Sequence, residues 1–215
     1  VVNMTGAYND ALVLGRDGGS GTVTQNGGTV TYNPSNRDSG FIGASASAAG
    51  TTATYDMKGG TLDMRNMRLG VALGVVSASV NQTGGSILTR QLDLGTVLTQ
   101  GNATYNLEGG SLTIGAGGIT STSNTYLLNL GAGTVGAAAN WTSTLNMILT
   151  GTGGNTTFDT AEHKIVLAGP VDGDGGLVKT GAGSLIMNNL NFFTGPTQVN
   201  QGTLGGIGTN DQSAL

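Results

Sequence analysis

The fold of this chain is decided by a phrase that occurs four times: GTVTQNGGTVTY at 21–32, TATYDMKGGTLDM at 52–64, ASVNQTGGSILTR at 78–90 and ATYNLEGGSLTIG at 103–115. Each copy is an alternating run of apolar and polar residues, then a Gly-Gly corner and a second alternating run. The second glycines of successive copies lie 32, 25 and 25 residues apart. Repetition at such a period is typical of solenoids and other repeat architectures.

A second, shorter phrase lies between and beyond these copies. It ends in glycine and reads LVLG at 12–15, FIG at 41–43, LGVALG at 69–74, LDLG at 92–95 and LNLG at 128–131. Short alternating runs between glycine corners predict strands, about three in each repeat. A repeat of ~25 residues cannot bury its own apolar face, so it must stack on its neighbours. We therefore predict an all-β chain folded as a parallel β-helix, or β-solenoid, of about eight coils.

The composition limits the core of this β-helix. Only 9% of the 215 residues are charged and 5% are aromatic, so the core must be narrow and built mainly from aliphatic side chains. Disorder is disfavoured because the apolar residues alternate with polar ones and because proline, which is enriched in disordered chains, occurs only three times. An antiparallel sandwich or barrel remains the structural rival. The positions predicted to face inward, or their alternates, are Val23, Val30, Leu62, Met64, Val80, Ile87, Leu107, Leu112 and Ile114.

Charge and cysteine content exclude several classes of function. The net charge is −4 and the eight Lys and Arg are scattered, so we expect no nucleic-acid binding. The absence of cysteine excludes disulfides, thiolate zinc sites and cysteine nucleophiles. No apolar run approaches the ~20 residues of a transmembrane helix, so we expect no transmembrane segment in this stretch. Val1 begins within the pattern, and we expect the sequence to be part of a longer chain.

The segment GDGGLVKTGAGSLIMNNLNFFTGPTQVNQGTL at 173–204 resembles a known repeat. It is similar to the passenger-associated transport repeat, also called the autotransporter-associated β-strand repeat. Phe193 replaces the usual Tyr, Met187 replaces the usual Leu, and Pro196 departs from the usual small residue. The matching positions are Gly175, Gly176, Leu177, Lys179, Gly181, Gly183, Leu185, Asn191, Phe193, Gly195, Thr197, Val199, Gly202 and Leu204.

The resemblance implies a right-handed parallel β-helix, export by type V secretion or a related route, and display on a bacterial outer membrane. It also implies a translocating outer-membrane β-barrel elsewhere in the parent chain. We divide the sequence into looser glycine-cornered coils at 1–172 and repeat coils at 173–215, continuous with the same solenoid.

Charged residues are the best candidates for a surface binding site. Six of them recur near equivalent coil positions, which predicts a charged stripe: Asp56, Asp63, Arg65, Arg68, Arg90 and Asp93. His163 is the lone histidine and is expected at a solvated coil edge. Asp172 and Asp174 in VDGDGG are expected to serve a turn, since no nonapeptide calcium repeat is present. Tyr55 and Tyr105 occupy matching positions and predict an aromatic ladder inside or outside the solenoid.

These observations favour a structural or adhesive surface protein over an enzyme. We expect no catalytic residues, no metal and no cofactor. The expected partners are host or matrix glycans and proteins, or copies of the chain itself. The alternatives are a polysaccharide-active enzyme on a β-helix and a self-assembling extracellular or phage-type filament subunit, since solenoid ends are open edges.

Overall fold

The computed structural model describes residues 2–4, 10–16, 19–32, 39–45, 50–72, 76–95, 101–123 and 125–206. The described residues contain no helix that is long and apolar enough to cross a membrane. Their strands, in chain order, are β1 (Val2–Met4), β2 (Asp10–Arg16), β3 (Gly21–Gln25), β4 (Thr29–Tyr32), β5 (Ser39–Ser45), β6 (Thr51–Met57), β7 (Thr61–Ala72), β8 (Val76–Leu94), β9 (Ala103–Thr120), β10 (Tyr126–Leu130), β11 (Thr134–Ala137), β12 (Trp141–Ser143), β13 (Met147–Leu149), β14 (Thr156–Asp159), β15 (Lys164–Leu167), β16 (Val171–Asp172), β17 (Leu177–Thr180), β18 (Ser184–Met187), β19 (Thr197–Val199) and β20 (Thr203–Gly206).

Parallel strands stack into three faces. Face A follows the path β1-β4-β7-β8-β9-β11-β14-β17-β19. Face B joins β2, β5 and the second parts of β7, β8 and β9, and its later coils form the sheet β12-β15-β18-β20. Face C joins β3, β6, the first parts of β8 and β9, then β10, β13 and β16. The long strands β7, β8 and β9 turn a corner and so contribute to more than one face.

These pairings confirm the parallel β-helix. Every strand pairing among the described residues is parallel, which excludes the antiparallel sandwich and barrel for that part of the chain. The number of coils is close to the predicted eight. The ladder continues from β14 to β17 across the boundary at residue 173. Strand β11 lies within the small-residue stretch GAGTVGAAAN at 131–140.

The core is a slender column of aliphatic side chains. On face A the Cα partners Leu62, Ile87, Leu112, Val135 and Phe158 follow one another coil by coil, and all five are fully buried. Burying each such side chain stabilises the fold by about 1.5–3 kcal/mol. The predicted inward residues are confirmed: Leu62, Met64, Val80, Ile87, Leu107, Leu112 and Ile114 are buried, while Val23 and Val30 are partly buried and pack against this core.

Successive Gly-Gly corners stack directly on one another, and this close stacking leaves no room for a side chain between them. Gly28, Gly60, Gly85 and Gly110 have φ values of 69°, 83°, 66° and 72°, in the left-handed region that favours glycine. A Cβ on Gly85 would lie 2.8 Å from the carbonyl oxygen of Gly60 in the preceding coil. Glycine at this corner therefore allows both the turn and the close stacking of successive coils.

Candidate functional site

Lys179 continues the apolar column of face A in the segment that resembles the transport repeat. Its Cα partners are Phe158 in the preceding coil and Val199 in the next one. The side chain is fully buried, although a lysine is almost never buried without partners. Its position follows from the alternation of LVKT, in which Leu177 and Lys179 both point inward.

The ammonium group of Lys179 lies in a cage of backbone carbonyl oxygens. Nζ donates to the carbonyls of Thr180 at 2.7 Å, Gly181 at 2.8 Å and Gln201 at 3.0 Å. An ammonium has three donors, so each finds one acceptor. Gln201 belongs to the following coil, and the cage therefore ties two coils together through one side chain.

The electrostatic surroundings of Lys179 act in opposite directions. Burial lowers the pKa of its ammonium group, and the nearby carboxylate of Asp159 partly opposes that shift. Asp159 is itself held in place, because its Oδ1 accepts from the amide of Ala161 at 2.9 Å. Because all three donors of Nζ are taken by main-chain carbonyls, we interpret the cage as a structural arrangement.

Two glycines form the walls of this cage. Gly181 and Gly202 have φ values of 78° and 73°, which favour glycine. A Cβ on Gly202 would lie 2.8 Å from Nζ of Lys179 and would also collide with the carbonyl oxygens of Gly181 and Gly183. The other glycines of the motif are likewise in close backbone contact with a neighbouring coil: Gly175, Gly176, Gly183 and Gly195.

The remaining motif residues build the core around the cage. Leu177, Leu185 and Met187 are buried. Asn191 is also buried, and its side chain ties two segments: Oδ1 accepts from the amide of Val171 at 3.1 Å and Nδ2 donates to the carbonyl of Asn189 at 2.7 Å. Three further positions lie near the end of the described chain: Phe193 and Leu204 pack against the core, and Val199 is 45% exposed. Thr197 opens strand β19.

The six charged candidates are distributed over more than one face. Asp56 is on face C and Asp63 on face A, whereas Arg68 and Asp93 are direct Cα partners on face B. Burial raises the pKa of the Asp93 carboxyl, and the guanidinium of Arg68 partly opposes this shift. Arg65 and Arg90 are exposed where face A meets face B. The structure thus brings together Arg68 and Asp93, and a binding role for the set stays a prediction.

Asp56 belongs to a ladder of amide side chains on the outer surface of face C. Nδ2 of Asn81 donates to Oδ1 of Asp56 at 2.9 Å, and Asn106 donates to Asn81 at 2.9 Å. Asn129 continues the ladder by donating to Asn106 at 2.8 Å. Each rung donates toward the N-terminal side, so the carboxylate of Asp56 is the final acceptor.

The other polar candidates do not converge. His163 is partly exposed, and its amide donates to the carbonyl of Thr160 at 2.7 Å. Asp174 accepts from the hydroxyl of Thr194 at 3.4 Å, while Oδ1 of Asp172 is buried without a hydrogen-bond partner. Within the part of the chain that the structure describes, no group of three or more His, Cys, Asp or Glu could hold a metal ion.

The aromatic residues are mostly inside. Tyr55 and Tyr105 are fully buried at matching positions of face C. They are separated in the stack by Val80, so they do not form a continuous aromatic ladder. Trp141 is also buried, and its Nε1 has no hydrogen-bond partner. Tyr126 is partly exposed, and its hydroxyl accepts from the amide of Asn146 at 3.0 Å.

Exposed apolar residues, which were not predicted, lie on the outer surface of the later coils without forming a continuous patch. Ile148 follows Asn129 in the outward column of face C, so an apolar residue replaces the amide ladder. Phe192 lies two coils after Ile148, with Asp172 between them in the same column, because the amide of Phe192 donates to the carbonyl of Val171. The signal was present in the sequence as apolar residues at outward positions of alternating runs. We call these residues the apolar stripe, with their exposed fractions: Leu127 47%, Ile148 36%, Leu190 50% and Phe192 56%.

Comparison with known proteins identifies the segment that contains the lysine cage. The family model described as passenger-associated-transport-repeat matches residues 177–205. Neither the curated proteins nor the solved structures gave a match. The matched residues include Lys179, both glycines of its cage and the Gln201 carbonyl that Nζ binds in the next coil. The C-terminal coils of this β-solenoid therefore carry a passenger-associated-transport-repeat, the repeat of autotransporter passengers.

Proposed function

We infer that this chain is a non-catalytic scaffold, displayed on a bacterial surface or secreted as part of an autotransporter passenger. One observation carries this proposal: the transport repeat is not a separate unit but continues the column of the upstream coils through the pairing of β14 with β17. A β-solenoid transmits its shape from coil to coil and gives a stiff, extended rod. Such a rod can hold a surface at a distance from the cell.

The repeat coils would act as the folding seed of this scaffold. Strands β17 and β18 pair on both sides, and the lysine cage adds a link between coils that is made by one side chain. A stable coil outside the membrane would template the next one, and burial of its apolar face would favour outward movement. Deletion of residues 173–204 should reduce surface display of a parent passenger and slow refolding. Unchanged display and refolding rate would count against this role.

The placement of the three acidic candidates argues against a glycosidase site built from them. Glycoside hydrolysis requires two carboxyl groups about 5–10 Å apart across one substrate site. Asp56, Asp63 and Asp93 lie on three different faces of the solenoid. When a panel of polysaccharides is incubated with the purified chain, no new reducing ends should appear. Product release that is lost on Asp63→Asn or Asp93→Asn would contradict the proposal.

The adhesive part of the proposal is supported by the apolar stripe. Exposed apolar patches on soluble proteins commonly mark interaction sites. The stripe offers an aromatic ring at Phe192 and branched aliphatic groups along an outer face, suited to glycans or matrix proteins. Binding to arrays of such ligands should fall when Leu190 and Phe192 are both replaced by Ser. The matched control is Leu88→Ser, an exposed leucine on face A. Equal binding by both variants would rule out the stripe as the adhesive surface.

A further inference from the structure

Two tyrosines in the core reach back to glutamines in the preceding coil. The hydroxyl of Tyr55 donates to Oε1 of Gln25, and the hydroxyl of Tyr105 donates to Oε1 of Gln82, both at 2.6 Å. All four side chains are buried, with Gln25 at 5% exposure and the others at 0%. Tyrosine and glutamine are thus paired in the middle of an otherwise apolar column.

The glutamine amides bind the same set of backbone groups at both sites. Nε2 of Gln25 donates to the carbonyls of Gly28 at 3.2 Å and Thr61 at 3.0 Å. Nε2 of Gln82 donates to the equivalent carbonyls of Gly85 at 3.3 Å and Ser111 at 2.8 Å. Each glutamine therefore joins its own Gly-Gly corner to the coil above it and also accepts the tyrosine of that coil.

The pairs alternate along the stack, so the polar core repeats every two coils. We number the coils by their face C strands: coil 1 contains Gln25, coil 2 contains Tyr55, coil 3 contains Gln82 and coil 4 contains Tyr105. A coil with tyrosine always lies on a coil with glutamine. In the same two columns, the partners of the polar residues in neighbouring coils are apolar: Val23, Met57, Val80 and Leu107.

We propose that the two Tyr–Gln pairs form a register lock that selects which coil stacks on which during folding. Successive coils have similar length and corners, so a coil can compete for a neighbour one step too far along the chain. Looping out a single coil adds little closure entropy, because this cost grows slowly with loop length. A strand stacked one coil too far must therefore be penalised by its side chains.

The lock supplies that penalty through an unpaired hydroxyl. If coil 4 stacked on coil 2, Tyr105 would face Met57, which offers no comparable acceptor, and Gln82 would leave the core. Burying a hydroxyl without its partner costs more than the net gain of the native bond. A single buried polar residue fixes register in the same way in coiled coils.

Engineered disulfides can report the register, since the chain has no cysteine. Ser79→Cys with Thr104→Cys places thiols on direct Cα partners of coils 3 and 4. Thr54→Cys with Thr104→Cys places them two coils apart, about 10 Å, which is beyond disulfide reach. After refolding under oxidising conditions with the wild-type core, the first pair should close and the second should not.

The same cysteine pairs should also be introduced into a protein that carries the double substitution Gln82→Leu with Tyr105→Phe. This double substitution removes the Tyr–Gln bond together with the Nε2 donor to the carbonyls of Gly85 and Ser111, so the thermal midpoint should fall. Gln82→Leu alone should lower the midpoint further, because it also leaves the hydroxyl of Tyr105 buried without an acceptor. On this background the Thr54–Thr104 bridge should rise at least several-fold. An unchanged pattern of bridges would overturn the register lock.

A pair of deletions tests the same lock by thermal unfolding. Removing residues 58–82 deletes coil 3 and leaves Tyr105 above Met57, whereas removing 58–107 deletes coils 3 and 4 together with both members of the pair. Each deletion joins Met57 to an intact corner, at Thr83-Gly84-Gly85 or at Glu108-Gly109-Gly110. Shortening a solenoid ordinarily lowers its stability. The lock predicts the reverse order, with a higher midpoint for the longer deletion, and a higher midpoint for the shorter deletion would overturn it.

Discussion

The coils from Gln25 to Tyr105 and the transport-repeat coils at 177–205 both bury polar side chains, but they satisfy them differently. In the earlier coils a tyrosine hydroxyl binds a glutamine of the neighbouring coil. In the repeat, the ammonium of Lys179 binds three backbone carbonyls. The coils also shorten, from 25 residues between hydrogen-bonded neighbours at Asn81 and Asn106 to 20 at Thr160 and Thr180.

The two arrangements differ in how local their sequence requirements are. A Tyr–Gln pair needs two specific residues in adjacent coils, so its sequence signal is spread along the chain. The lysine cage needs one side chain and glycine corners, since main-chain carbonyls are present in every sequence. The requirements of the repeat are therefore local, and they can be placed on any coil of compatible length.

Removing the lysine should have the largest effect. Lys179→Met keeps the aliphatic volume but leaves three carbonyl oxygens without their donor, and we expect a loss of about 3–5 kcal/mol in the stability of the C-terminal coils. Hydrogen exchange of β17 to β20 would measure it. The control Lys164→Met replaces an exposed lysine of β15 and should change little. Equal protection in both variants would show that the cage is dispensable.

A substitution at the stacked Gly-Gly corners should have the next largest effect on stability. Gly85→Ala places a Cβ at positive φ and within 2.8 Å of the Gly60 carbonyl, so we expect a cost of about 2–4 kcal/mol. Gly28→Ala is the matched control, because its φ is 69° but no atom lies within 4 Å of the added Cβ. Denaturant unfolding should show a cost of only about 1–2 kcal/mol for the control. Equal costs would mean that backbone strain alone matters.

The outer amide ladder should contribute less. Asn106→Ala removes the donor to Asn81 and the acceptor of Asn129, and we expect a loss of about 1–2 kcal/mol. Thr104→Ala in the same strand is the control and should cost less. Thermal unfolding of the two variants measures the difference. If the threonine variant is the less stable one, the ladder does not stabilise face C.

The smallest effect at ordinary pH should come from the buried tyrosines. Burial raises the pKa of Tyr55 to about 12, from 10.0, so the fold favours the neutral hydroxyl. The resulting stabilisation is fully present below pH 10 and is lost as the pH rises through about 12. Burial also raises the pKa of Tyr105 well above 10.0. Tyr55→Phe should flatten the loss of stability between pH 10 and 12, and an unchanged alkaline profile would contradict this assignment.

The sequence predicted the repeating architecture because its signals are local. Alternation and paired glycines placed Ile87, Leu112 and Ile114 in the core, whereas Lys179 was named only as a position of the repeat and its burial was not predicted. The Tyr–Gln pairs were missed because their partners are 30 and 23 residues apart and are chosen by register. The expected charged stripe assumed one face, but the corner within β7 turns Asp63 and Arg68 onto different faces.

Distances between spin labels would test the central claim, which is that the repeat coils continue the same translated stack. Thr29 and Thr157 are five steps apart on face A, and Thr29 and Gln198 are seven steps apart. At ~4.8 Å per step, labels at these pairs should be separated by about 24 Å and about 34 Å. A second distance equal to or shorter than the first would show that the transport repeat does not extend the column.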